Sequence, residues 1–157
     1  MEEKLIPKRP TVIKYALLTA LVLIIYFLIM DFTGLVRYSL LRFLNYPLIA
    51  IGVYLAAREI KHKNHPHQIS YLSGIGMGFM MVLLTSIIFS VFIAIYAIFI
   101  DSSFVNLVWN EPYYNNTAAN GMAMGFYVFA ETLITGLILN LIVMQFFKQD
   151  KSPDPEE

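Results

Sequence analysis

One acid in a long apolar run is the residue best placed to do chemistry. Glu131 stands among Phe129, Leu133 and Ile134. A charged carboxylate at the centre of a membrane helix costs roughly 2.5–3.5 kcal/mol on insertion scales. Acids in such places face a bundle interior. They mark a proton or ion path, or they fix packing through a bond to Tyr, Ser or a base such as Arg42. Thr135 follows one helical turn later on the same face. Asn140 falls about 180° around the helix from Glu131, so the two cannot line one narrow pore of one protomer. Asn140 reads as glue between helices. Proton and ion relays need several polar groups on inward faces, and the first and third apolar runs offer few, among them Thr19, Tyr26, Thr85, Ser86 and Ser90. Packing is therefore the favoured reading of Glu131, and transport the runner-up.

A second cluster is His62, His65 and His67 with Glu59. Zinc needs three or four converging ligands with support behind them. Pro66 separates two of the histidines, and the spacing fits no zinc motif. A solvated basic loop beside anionic headgroups is the favoured reading. A metal-dependent membrane enzyme using the 59–67 loop is the weakest alternative. Asp101, followed by Ser102 and Ser103, reads as a helix N-cap. Trp109, Tyr113 and Tyr114 suit the headgroup zone of a bilayer. No nucleotide loop, nucleophile elbow, paired carboxylates or zincin motif occurs. The chain is read as a non-enzyme with no cofactor and no metal.

The elements that hold these residues are apolar and long. The chain has 157 residues, 58% of them hydrophobic, with a formal net charge of zero and no cysteine. Soluble domains are nearer 45–50% apolar. Neutral charge gives no reason to expect a nucleic-acid partner, and the lack of cysteine excludes disulfides and thiolate chemistry. Four apolar stretches alternate with polar segments, predicting spans at about 13–30, 38–57, 70–100 and 124–147. Of the eleven lysines and arginines, all but Arg37 and Arg42 lie before or at the very start of span 1, between spans 2 and 3, or after span 4. Basic flanks stay in the cytoplasm. The expectation is an all-α integral membrane four-helix bundle of two helical hairpins, with both termini cytoplasmic.

The polar tail 1–12, with Pro7 and Pro10, is expected to be extended, and the tail 148–157 disordered. Span 1 is too long for a signal-peptide core of about 7–15 residues. Pro47 predicts a kink near Phe43–Asn45 in span 2. The loop between spans 2 and 3 is expected to run from Arg58 to Gln68, and a short interfacial helix to cover 104–109. Along span 3, Ser70, Gly74, Gly78, Met81 and Thr85 share one face, continued by Phe92, Tyr96 and Phe99. Gly74-x-x-x-Gly78 admits a close neighbouring backbone. Packing within the bundle is favoured there over dimerisation.

From Arg58 onward the chain resembles a known family. Arg58 in a basic loop, Ile69-Ser70 with Tyr71 opening span 3, and Ile100-Asp101-Ser102-Ser103-Phe104 closing it occur in order. Ser102 stands where the family pattern has proline. These features are similar to the domain-of-unknown-function family 4199, small bacterial four-span membrane proteins. The resemblance implies a bacterial inner-membrane location and no assigned activity. The function expected is structural or accessory. The partners expected are the lipid bilayer and a second copy or another membrane protein.

Overall fold

The computed structural model describes residues 8–35, 41, 43–63, 71–101, 103, 105 and 116–148. Their long elements are four helices: α1 Lys8–Phe32, α2 Asn45–Lys63, α3 Tyr71–Phe99 and α4 Thr117–Lys148. No strand occurs among the described residues.

Local chemistry sets the helix ends. Pro10 stands in the first turn of α1, where its missing N–H has no helical partner to lose. The residues from Lys8 are therefore helical, rather than extended as the prolines suggested. At the other end Thr33 N donates to Ile29 O at 3.0 Å and Gly34 N to Asp31 O at 2.9 Å. Gly34 then turns the chain out with a φ of 68°, a left-handed conformation that glycine adopts without a Cβ clash. Pro47 occupies the first turn of α2. Leu41 is helical, Phe43 and Leu44 form a turn, and helix resumes at Asn45, so the chain is interrupted where a kink was expected. The helix also runs past Ala57 to Lys63, because Arg58, Glu59 and Lys61 are good helix formers and Ile60 is buried. The Asn116 side chain caps α4 by accepting from Ala118 N at 2.9 Å. This cap starts α4 before Met124, where the apolar run begins.

The helices alternate in direction. Lys14 near the start of α1 meets Glu59 near the end of α2. Gly74 near the start of α3 packs on Met144 near the end of α4. α1 and α3 run parallel, with Phe27 edge-on to both Phe92 and Tyr96. Thus α1 begins and α4 ends at the same end of the bundle. The α3–α4 pair has the most extensive contact, followed by α1–α3 and α1–α2. The core joins all four helices through Ala16, Leu23, Val53, Met81, Val82, Ile93, Val128 and Val143.

Three of the helices are long and apolar enough to cross a membrane: Arg9–Phe32, Gly74–Phe99 and Thr117–Phe146. Only 28%, 44% and 22% of their apolar windows are buried inside the bundle. Leu17, Leu21, Ile25 and Ile29 form an outward apolar stripe on α1. A helix apolar on all sides suits a deep core or a bilayer, and a four-helix bundle is too thin to bury these faces.

Candidate functional site

Glu131 is half-buried on α4 and faces α2. It accepts a hydrogen bond from the Tyr46 hydroxyl at 2.9 Å. Thr135, one turn along α4, lies within hydrogen-bonding reach of the same phenol. The sequence brings them together because Glu131 and Thr135 share a face and Tyr46 opens the parallel helix α2. Gly136 packs on Val82 and Gly125 on Ser90 and Ala94. Glu131 therefore lies level with the middle of α3. This carboxyl–phenol–hydroxyl group can hold a proton, or bind two helices together. The other acids among the described residues, Asp31, Glu59 and Asp101, lie toward the bundle ends.

Asn140 turns to α3, away from Tyr46. It is 1% exposed, and its Nδ2 donates to Ile75 O at 3.1 Å. The Asn140 side chain fills the space that a Cβ on Gly78 would need. Its Oδ1 has no hydrogen-bond partner among the described residues. Met144, one turn on, fills the space beside Gly74, its sulfur 2.9 Å from where a Cβ would stand. The glycine stripe is therefore occupied within the chain by α4. Thr85 looks elsewhere, donating to Met81 O at 2.9 Å and to Ala16 O of α1 at 3.3 Å. Phe92 and Tyr96 continue toward α1, whereas Phe99 is 79% exposed and leaves that face.

The inward hydroxyls of α3 are engaged by their own helix. Ser86 donates to Val82 O at 2.8 Å and Ser90 to Ile87 O at 3.0 Å. Such back-bonding satisfies a hydroxyl in an apolar setting.

Two further polar contacts sit toward the ends. At one, Glu59 accepts from the Tyr15 hydroxyl at 2.6 Å and from Lys14 Nζ at 3.3 Å. At the other, the Tyr96 hydroxyl donates to Asp31 at 2.5 Å. Beyond α3, Asp101 accepts from Ser103 N at 2.8 Å and from its hydroxyl at 2.5 Å. These bonds hold the Asp101 carboxyl below its ordinary value, the hydroxyl contributing most, because they favour the charged form.

Sequence reasoning did not find Tyr46, the Tyr15–Glu59 bond or the Asp31–Tyr96 bond, which join residues distant in the chain. It also passed over Gly121-x-x-x-Gly125 on α4, although the motif is the one noted on α3. Gly121 packs on Ala97 and Ile98. Trp109, Tyr113, Tyr114, His65 and His67 lie outside the described residues, as does Arg42; of His62 only the helical backbone is described. Among the described residues no three His, Asp or Glu side chains converge to hold a metal.

Apolar helices with outward apolar faces, joined by buried polar bonds, define an all-α bundle of the membrane-protein class. The family model described as protein of unknown function DUF4199 matches residues 14–149, and the chain belongs to that family. Among curated proteins and solved structures, none matches this chain.

Proposed function

We propose that this chain is a four-pass membrane protein, non-enzymatic, acting as a structural or accessory component beside a second copy or another membrane protein. α2 makes the fourth crossing, and both termini lie in the cytoplasm of a bacterium, at its inner membrane. The observation that carries the accessory reading is how the inward polar groups are used. Thr85, Ser86 and Ser90 donate to helix carbonyls, and Asn140 joins α4 to α3. A conducting path needs such groups to face water or an ion. Here Ser86 and Ser90 are engaged by their own helix, and Thr85 and Asn140 join neighbouring helices.

The Tyr46–Glu131 bond favours a second reading, a small oligomeric transporter or channel. An acid level with the middle of a bundle is costly and functional in many membrane proteins. Purified protein in proteoliposomes separates the two. The accessory reading expects no flux of protons or common cations under an imposed pH or salt gradient. Flux that Glu131→Gln abolishes, in a variant that still folds, establishes transport and removes the accessory reading.

A further inference from the structure

We infer that the end of the bundle where α1 begins and α2 ends is a binding surface for the phosphate headgroups of anionic phospholipids. Every lysine and arginine in the four helices lies at this end: Lys8, Arg9 and Lys14 on α1, Arg58, Lys61 and Lys63 on α2, and Lys148 on α4. The Lys14–Glu59 contact sets α1 against α2 in register. One further turn along each helix brings Arg9 and Lys63 to a common level. The continuation of α2 as helix to Lys63 places these residues on helical turns.

Only one acid in the helices shares this end. Glu59 is 19% exposed and turned inward, taking bonds from Tyr15 and Lys14. Arg9 and Arg58 point outward. Directly along α1 from this basic rim, Ile13, Leu17 and Leu18 are exposed and apolar. A base above an apolar stripe matches a lipid, whose phosphate and acyl chain are covalently joined. A free phosphate would use the bases alone. Each Lys or Arg near an anionic surface adds about a fivefold factor in affinity.

The inference rests on the membrane reading, and carbonate extraction of native membranes tests that reading separately. The probe is the purified full chain titrated with phosphatidylglycerol in neutral phosphatidylcholine nanodiscs, read by thermal stability and native mass spectrometry. Phosphatidylglycerol should raise the melting temperature and remain attached, and 0.5 M salt should weaken the effect. The double variant Arg9→Gln/Arg58→Gln should bind roughly 25-fold more weakly. Arg9→Lys/Arg58→Lys should retain binding, since a headgroup phosphate accepts either cation. Equal binding of neutral and anionic lipid overturns the inference, as does undiminished binding by the double glutamine variant. Displacement by millimolar inorganic phosphate assigns the surface to soluble anions and overturns the lipid.

Discussion

Tyr46 and Glu131 join helices far apart in the chain, and the bond asks little of either side chain beyond hydrogen bonding. Glutamine can accept the same bond. Glu131→Gln should therefore leave the melting temperature near wild type, while Glu131→Leu should cost about 1 kcal/mol. Tyr46→Phe should cost a similar amount, and the double variant less than the sum, because both singles remove one bond. Additive losses in detergent unfolding would show that the pair is not coupled. Asp101 gives a pH-dependent case. Its folded carboxyl titrates below the ordinary value through bonds from Ser103. Its contribution to stability is then complete above the unfolded value and disappears as pH falls through the folded one. Ser103→Ala should shift the Asp101 titration upward, toward the ordinary carboxylate value, because the hydroxyl bond is the larger of the two that lower it. An NMR titration that shows the same midpoint in both proteins would contradict this.

Between helices, small residues decide which faces meet. Gly78 admits Asn140, and Gly125 admits Ala94 and the Ser90 carbonyl, while nothing stands within 4 Å of a Cβ built on Gly76. Gly78→Leu should destabilise by about 1–3 kcal/mol through overpacking, and Gly76→Leu should be nearly neutral. Both should keep the oligomeric state, since the Gly78 face is filled by α4 of the same chain. Equal melting temperatures for the two variants in detergent would sink this assignment. The glycine stripe and the length of α3 were legible in the sequence because glycine spacing and apolar runs are local signals. The bounds of α1, α2 and α4 were less so, because an apolar run reports how far a helix can sit in lipid. Charged turns such as 58–63 and capped polar turns such as 117–123 continue the helix beyond it. The partner of Glu131 was not legible either. Its side chain announces a need for a hydrogen bond, but Tyr46 was one of several tyrosines that could meet it until the pairing of α2 with α4 was known.

For the molecule as a whole, the decisive element is α2. It has 19 residues, and the stretch 45–57 before its charged turns reaches about 20 Å at 1.5 Å per residue, against the roughly 30 Å of a hydrocarbon core, so a crossing by α2 requires local thinning of the bilayer. Its charges crowd into the last turns, where the exposed Arg58 can snorkel to headgroups. Its antiparallel contact with α1 and its bond from Tyr46 to α4 fit a crossing better than a helix lying on the surface. The two arrangements put the same residues on opposite sides. If α2 crosses, position 63 faces the cytoplasm and position 116 the outside. If α2 stays on the outer surface, 63 is outside and α3 carries 116 inward. The chain has no cysteine, so single cysteines at Lys63, Asn116 and Glu157 report without background. A membrane-impermeant maleimide applied to intact cells should label position 116 alone, and positions 63 and 157 only after the membrane is opened. Labelling of 63 in intact cells, with 116 protected, would leave three crossings and remove α2 from the membrane.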